Sequence, residues 1–331
     1  MTPLFSNSKP SSASQFTLEP TYCEQLASAV SNVVQFIFAP FTTLYDWIRP
    51  INVVTGQREF HIIPSFVEKF IGTSAYSSLV AASGGEILED NSKYAFYVRT
   101  LREVGADLVA ACPRKDLEFE FKLINSPQDN AWCLPGGKIG VNLGLMRNIQ
   151  KAESGSIHFR EKVAAVLSHE ITHAAARHGG RKIELQLFLF TVLQTIKYAF
   201  VYLFIGRAYD EEIQRAGNNR IASAKAHLRR EEAIRNSLAW LNPIGDWLIA
   251  GVGLCGSRSH ELEADKYGMH LMARACIDLK AAVWLMSYFE RKHSHSTGNG
   301  WLDWLASWFY SHPTPAERLA ANRNTLQELG G

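Results

Sequence analysis

The chain has 331 residues, with 34 Lys and Arg against 32 Asp and Glu, so its formal net charge is +2. A hydrophobic content of 47% and a mean hydropathy of −0.09 exclude a disordered chain, a disulfide-dense mini-protein and a polytopic transporter. The near-neutral charge disfavours a nucleic-acid partner. Five scattered cysteines without a CxxC pair favour neither a disulfide framework nor a cysteine metal site.

The first part of the chain is predicted to stand apart from the rest. Residues 1–22 are rich in Ser and Pro and are predicted to form a flexible tail. Residues 23–60 are predicted to form an apolar, membrane-proximal segment, because Gln25–Tyr45 carries no charged residue. That stretch fits a membrane span, an interfacial helix or a core helix. Residues 61–331 are predicted to form the main domain, with an insertion at residues 183–256.

The middle of the chain predicts a mostly helical α+β fold. Apolar residues at spacings of three and four predict an amphipathic helix over Ser92–Leu108. Strict alternation over Leu117–Leu123 predicts a half-buried strand. Pro135–Gly137 is typical of a turn, and Lys138–Asn142 follows it as a second short strand. We expect a small antiparallel sheet.

A long helix and an inserted pair of apolar arms follow. His158–His178 is predicted to be helical and to stop at Gly179–Gly180. Two apolar arms, Leu185–Ile205 and Leu238–Leu254, flank the charged stretch Arg207–Arg235, which is predicted to be a polar loop. This pattern predicts an inserted apolar helical hairpin. The hairpin either enters or lies on a membrane, or packs internally on the main domain.

The predicted helix carries the sequence HExxH. His169 and His173 are four residues apart, so their imidazoles lie on one helical face and can bind one zinc ion. Glu170 lies beside them and can take a proton from a water on the metal. The apolar residues Val163, Val166 and Leu167 precede the motif and are expected to bury the opposite face.

A zinc site of this type needs a third protein ligand. A helix predicted to begin near Ser257 offers Glu261 and Asp265, which share a face because they are four residues apart. One of them could bind the metal while the other holds a ligand histidine by its second ring nitrogen. On spacing alone, His260 is a further possible ligand. Glu263 points elsewhere and is interpreted as an exposed charge.

Four blocks occur in a fixed order along the chain. They are Asn130–Leu145, His169–His178, Ser257–Gly268 and His312–Arg318. In this order they resemble the membrane-associated gluzincin metallopeptidases of the HtpX and Ste type. Within that family the tracts Asn52–Arg58 and Glu263–Ala282 are most similar to the Oma-type proteases of the mitochondrial inner membrane and their bacterial relatives.

The resemblance implies a zincin-like metallopeptidase core with one zinc ion per chain. It implies that His169, His173 and Glu261 bind the metal and that Asp265 supports a ligand from behind. Glu170 is the implied general base for peptide hydrolysis.

The resemblance also suggests roles for residues outside this set. His312 is expected near the metal, where it would stabilise the oxyanion, and a buried structural histidine is the alternative. Arg318 would support substrate or a carboxylate, or form a plain salt bridge. His178 is interpreted as structural, because on a continuous helix it lies too far round to complete the site. We expect the second predicted strand to be a sheet edge that pairs with substrate through Lys138, Ile139, Gly140, Val141 and Asn142.

The combined hypothesis is a zinc endopeptidase attached to a membrane, placed at the bacterial inner membrane, with a soluble enzyme as the alternative. Its expected partners are unfolded or membrane-protein substrates and a lipid surface, and no nucleic acid is expected. Two competing hypotheses remain: a non-catalytic membrane-associated interaction protein that keeps the fold, and a zinc hydrolase acting on a non-peptide substrate.

Overall fold

Helices dominate the part of the chain that the structure describes. The computed structural model describes residues 45, 46, 48–294 and 314–330, and for residues 240–257, 293 and 294 it describes the backbone alone. The chain divides into two units, Met1–Arg49 and Pro50–Gly331, and all elements below belong to the second. The helices are α1 Ser65–Ala82, α2 Ala95–Ala111, α3 Leu143–Lys151, α4 Phe159–Ala175, α5 His178–Phe200, α6 Arg207–Ala216, α7 Arg220–Arg274, α8 Lys280–Ser294 and α9 Pro315–Glu328.

A four-stranded sheet packs against these helices. Its strands are β1 Glu86–Ile87, β2 Glu120–Ile124, β3 Ala131–Leu134 and β4 Lys138–Asn142, in the spatial order β1-β2-β4-β3. The β1–β2 and β3–β4 pairs are antiparallel, whereas β2 and β4 run parallel. The predicted mostly helical α+β fold is confirmed. The sheet is mixed rather than purely antiparallel, because the chain passes through β3 before β4 returns to lie beside β2.

The predicted substrate edge is wrong. Strand β4 is hydrogen-bonded to β2 on one side and to β3 on the other, so its backbone has no free side for a substrate. Its residues Ile139, Gly140, Val141 and Asn142 are buried, and Lys138 forms a 3.1 Å ion pair with Glu120. Among the described strands, β3 pairs on one side only and is therefore the available edge on this side of the sheet.

Helix α4, which carries HExxH, runs through the centre of the fold. At its start the Glu161 carboxylate accepts a 2.8 Å hydrogen bond from the His158 backbone N–H. Lys162 is buried, and its ammonium donates to the Ile149 and Ala152 carbonyls at the end of α3. The helix packs against β3, α2, α7 and α8. Its fully buried apolar side chains include Val163, Leu167 and Ile171. The motif is thus held in the core.

The end of α4 differs from the prediction. The helix ends at Ala175, and Arg177 takes a left-handed conformation with φ of 62°, which costs a non-glycine residue about 1–2 kcal/mol. Buried partners hold it there: its guanidinium donates to the Ile63 carbonyl at 2.8 Å and to Glu68 at 3.1 Å. The predicted stop at Gly179–Gly180 is wrong, since both glycines lie inside α5. A Cβ on Gly180 would lie 2.0 Å from Glu68 Oε1, so Gly180 permits close packing.

The insertion forms a long helical hairpin. Its rising arm is α5, a π-helical turn at Val201–Gly206 and α6, and its returning arm is α7. The charged stretch predicted as a loop is helical, apart from the short turn between α6 and α7. No new helix starts near Ser257, because α7 continues unbroken from Arg220 to Arg274.

The apolar side chains of the rising arm face outward. Of the residues in α5, only His178, Gly180 and Glu184 are buried. Leu187, Phe188 and Phe204 are more than half exposed. The alternative prediction, that this arm packs internally on the main domain, is therefore wrong. Within the described residues, the helical stretch Phe159–Ala216 contains one segment long and apolar enough to cross a membrane, judged by length and composition.

Residues 50–60 contact the end of α4 and the helices that follow it. The Asn52 side chain donates to the Ala176 carbonyl at 3.1 Å, and Glu59 lies 3.3 Å from Arg181. The Tyr267 hydroxyl donates to the Thr55 carbonyl at 3.2 Å. This part of the predicted membrane-proximal segment therefore also braces the ends of α4 and α7.

Candidate metal centre

Three side chains from two helices converge beside the cleft. His169 and His173 project from α4, and Glu261 projects from α7. One donor atom from each of these residues lies within 4.8 Å of the other two. The two Nε2 atoms are 3.0 Å apart, and the Glu261 carboxylate oxygens lie 3.3 and 3.4 Å from them. The two sequence motifs, 88 positions apart between His173 and Glu261, thus form one site.

Asp265 holds His169 from behind. Its Oδ1 lies 2.9 Å from Nδ1 of His169, so that nitrogen donates its proton and Nε2 keeps its lone pair toward the other two donors. Burial raises the pKa of Asp265, but the adjacent Arg318 guanidinium lowers it further, so the net shift is downward. Asp265 therefore stays ionised and acts as the acceptor.

Arg318 forms ion pairs with two carboxylates of the site. It reaches the site from α9 and makes two 2.6 Å hydrogen bonds to Asp265. Its Nη1 lies 3.2 Å from Glu261. Of the alternatives that the sequence left open, support of a carboxylate and a salt bridge both fit this geometry. Arg318 also lines the cleft, and its contact with substrate stays a prediction.

The far side of His173 contains residues whose role the sequence interpretation missed. Nδ1 of His173 lies 2.8 Å from Nδ1 of His178, and Nε2 of His178 lies 3.1 Å from Glu263. Glu263 is not the exposed charge that was expected, because its side chain is only 18% exposed. His260 is not among the three converging donors. Its ring stacks on His178 with centroids 4.5 Å apart and planes within 4°.

The break after α4 explains why helical spacing did not predict the contact between His178 and His173. On a continuous helix His178 would lie about 140° round from His173, at about 100° per residue. The left-handed Arg177 ends the helix between them and turns His178 back toward His173. Burial lowers the pKa of His178 well below its ordinary value and that of His260 to about 3, so both rings are neutral.

Glu170 lies beside the three donors with its side chain largely buried. It lines the same cleft, and burial raises the pKa of its carboxyl above the ordinary value. A carboxylate with a raised pKa binds a proton more readily, which suits a group that takes up and releases one.

The arrangement of ring nitrogens fits a bound cation. Each Nδ1 is occupied by a hydrogen bond, to Asp265 for His169 and to His178 for His173. The two Nε2 lone pairs then face each other and the Glu261 carboxylate across about 3 Å, an arrangement that a divalent cation stabilises. Two imidazoles and one carboxylate form a common donor set for zinc in hydrolytic enzymes.

A cleft of ≈ 970 Å³ runs past these residues. Strand β3 forms one wall, and residues of α8 form another. Its lining includes Gln128, Asn130, Trp132, Cys133, Pro135, Leu145, Val166, Lys182, Leu285, Met286 and Phe289. The three converging side chains and Glu170 also line this cleft, so the candidate metal centre opens into it. His312, predicted to lie near the metal, falls outside the described residues.

An HExxH helix completed by a glutamate from a second helix defines a metallopeptidase of the gluzincin type. The chain belongs to peptidase family M48, whose model matches residues 98–326, well over half of its length. The predicted resemblance and the metallopeptidase class are thereby confirmed.

Curated relatives agree with this assignment. The chain is 28% identical over 276 residues to the mitochondrial metalloendopeptidase OMA1 of Schizosaccharomyces pombe, covering 83% of this chain and 66% of the relative. It is 24% identical to the mitochondrial metalloendopeptidase OMA1 of Bos taurus, covering 84% and 46%. It is 30% identical to the beta-barrel assembly-enhancing protease of Yersinia pestis, covering 78% and 47%. The chain thus spans about half to two thirds of these relatives' lengths.

Proposed function

We propose that this protein is a zinc-dependent endopeptidase that cleaves extended polypeptide segments close to a membrane surface. The observation that carries the proposal is the convergence of His169, His173 and Glu261, with donor atoms within 4.8 Å of one another, beside the buried Glu170. The family M48 match supports the same reaction class.

The roles of the residues follow from their positions. A zinc ion held by His169, His173 and Glu261 would supply Lewis acidity, which makes a water molecule a better nucleophile and polarises a carbonyl. Glu170 accepts the proton of the attacking water and delivers it to the leaving amine, a task suited to its raised pKa. Asp265 keeps His169 in the tautomer whose Nε2 faces the other donors.

Strand β3 is the proposed site of main-chain pairing with substrate. It lines the cleft and packs against α4, the helix that carries Glu170. The Asn130 carbonyl accepts from Asn142 of the β4 side, so in an antiparallel ladder Ala131 and Cys133 direct their backbone groups to the outer side. Main-chain pairing reads little sequence, which favours unfolded or locally extended substrates and a role in protein quality control.

The exposed apolar surface of the hairpin supports membrane association. Leu187, Phe188 and Phe204 face outward from an arm with a segment long enough to cross a bilayer. We propose that this arm enters the membrane and keeps the cleft near its surface. The names of the relatives include both mitochondrial and bacterial proteins, and we place this protein at the bacterial inner membrane.

The decisive experiment compares Glu170→Gln with the unaltered chain purified in detergent. We expect Glu170→Gln to keep one zinc per chain, measured by elemental analysis, and to lose cleavage of unfolded casein. Glu118→Gln, at an exposed position away from the cleft, is the matched control. Casein cleavage at an unchanged rate by Glu170→Gln would refute the mechanism. An unaltered chain that holds zinc yet cleaves no peptide would favour the non-catalytic or non-peptide alternatives.

A further inference from the structure

A row of hydrogen-bonded side chains extends away from the metal centre behind His173. His173 Nδ1 lies 2.8 Å from His178 Nδ1, and His178 Nε2 lies 3.1 Å from Glu263 Oε1. The His178 side chain is 3% exposed, and His260 stacks against its ring. The His178 ring is therefore fixed in position and shielded from solvent.

The carboxylate at the end of the row determines where the protons lie. Glu263 can only accept, so His178 must carry its proton on Nε2 and present a lone pair at Nδ1. His173 must then donate from its own Nδ1, which leaves the lone pair of its Nε2 pointing toward Glu261 and His169. The opposite tautomers would direct the His178 lone pair at a carboxylate and place a proton on the His173 nitrogen that faces the other donors.

The two ligand histidines are thus oriented in parallel ways by different partners. His169 is held by Asp265 directly, whereas His173 is held by a carboxylate acting through a second imidazole. Glu263 is itself fixed by Arg181, whose Nη1 donates to the same oxygen at 2.9 Å. Asp265 and Glu263 both belong to α7, so one helix orients both imidazoles of α4.

We propose that His178 is a positioning residue, which together with Glu263 fixes the tautomer and ring orientation of His173 for metal binding. This inference rests on the proposed function, because it requires that the site bind zinc. Loss of a hydrogen-bond partner behind a ligand histidine typically lowers metal affinity by about 10–100-fold. We expect a loss of this size for His178→Ala, without loss of the fold.

The test measures zinc affinity of the whole 331-residue chain by competition with a chromophoric chelator. The variants are His178→Ala, His178→Asn and Glu263→Ala. Asn places a carbonyl oxygen near the position of the histidine Nδ1 and can accept from His173, so His178→Asn should recover most of the affinity lost in His178→Ala. Glu263→Ala should weaken zinc binding in the same direction, because it frees the His178 tautomer.

Two controls separate this role from plain structural support. Lys266→Ala removes an exposed charge three residues along α7 from Glu263, so zinc affinity should stay within about twofold of the unaltered value. His227→Asn removes an exposed histidine of the hairpin and should likewise have no effect on zinc affinity. Thermal unfolding of the metal-free variants, followed by circular dichroism, reports on the fold.

Each outcome decides between the claims. A folded His178→Ala that binds zinc as tightly as the unaltered chain overturns the inference while leaving the proposed function intact. Equal losses in His178→Ala and His178→Asn also overturn it, because the acceptor would then not matter. If His178→Ala fails to fold, the comparison of Glu263→Ala with Lys266→Ala decides in the same way. An unaltered chain without zinc affinity defeats the proposed function itself.

Discussion

Arg318 and Asp265 form a bidentate ion pair, in which the guanidinium donates a 2.6 Å hydrogen bond to each carboxylate oxygen of Asp265. Both side chains are buried, and Arg318 also lies 3.2 Å from Glu261. A single guanidinium from α9 therefore balances the charge of a proposed metal ligand and of the carboxylate behind another ligand. The last described helix of the chain is in this way part of the candidate metal centre.

Removing that guanidinium should lower the free energy of unfolding. Arg318→Ala leaves two buried carboxylates without their cation, and breaking a buried ion pair typically costs about 3–5 kcal/mol. We expect a loss of this order in the free energy of unfolding, measured by denaturant titration, together with weaker zinc binding. Arg323→Ala, an exposed arginine on the same helix, should change neither quantity. Equal stability of the two variants would show that the ion pair contributes little.

Gly268 should control the distance between the two ligand-bearing helices. A Cβ at this position would lie 3.2 to 3.3 Å from backbone atoms of Ser168 and His169. Gly268→Ala gains about 1 kcal/mol of helix propensity, which offsets part of the steric cost, so stability should change little. Because the added methyl group pushes α7 away from His169, zinc affinity should fall by about tenfold.

The control for this prediction adds one heavy atom elsewhere on the same helix. Ala273 lies at an exposed position of α7, so Ala273→Ser should keep the zinc affinity of the unaltered chain. Chelator competition measures both variants. Full zinc affinity in Gly268→Ala would mean that the helices adjust without moving Glu261.

The proposed role of β3 can be tested through its backbone. Cys133→Pro removes an N–H on the outer side of the edge strand, where proline is tolerated, and leaves the β4 ladder in place. Cys133→Ser loses the thiol but keeps that N–H. We expect KM for an extended fluorogenic peptide to rise about tenfold in Cys133→Pro relative to Cys133→Ser, with zinc content equal in both. Equal KM values in the two variants would argue against pairing at this edge.

The rising arm of the hairpin should bind lipid through its exposed apolar face. Leu187→Asp combined with Phe204→Asp places two charges on it, each costing about 2.5–3.5 kcal/mol at the centre of a bilayer. We expect the double variant to lose flotation with lipid vesicles. Gln214→Asp adds the same charge to α6, beyond the apolar segment, and should still float. Flotation of the double variant would place the membrane contact elsewhere.

The local patterns of the sequence predicted the elements of the site but not how they are arranged. The i, i+4 spacing of His169 with His173 and of Glu261 with Asp265 follows from helical geometry alone, and Lys138–Asn142 is a strand with the predicted bounds. Which strand lies at the edge depends on pairing between segments, and alternation in one strand does not encode its neighbours. The same pattern fits a central β4 and an edge β4 equally well.

The helix boundaries failed for a related reason. Glycines are common helix stops, yet here the stop is Arg177, held in a left-handed conformation by Glu68 and the Ile63 carbonyl. Those partners are more than a hundred positions away in the sequence, so no local signal reveals them. The role of His178 depends on that break and could not be predicted without it. The division of the chain into a tail, an N-terminal segment and a main domain stays a prediction.

Because α7 is unbroken, the number of residues in it fixes the rotation of the hairpin arm relative to Glu261. The returning arm of the hairpin and the carboxylate of Glu261 lie on one helix from Arg220 to Arg274, so each residue added or removed between them turns the arm by about 100° relative to the carboxylate. Seven added residues nearly restore the original direction, with a mismatch of about 20°. Two added residues would turn the arm by about 200° and so point it away from its present direction. Only additions close to a whole number of turns therefore keep the hairpin in its present direction relative to Glu261, and the proposed orientation of the cleft toward a membrane would depend on the number of residues along this one helix.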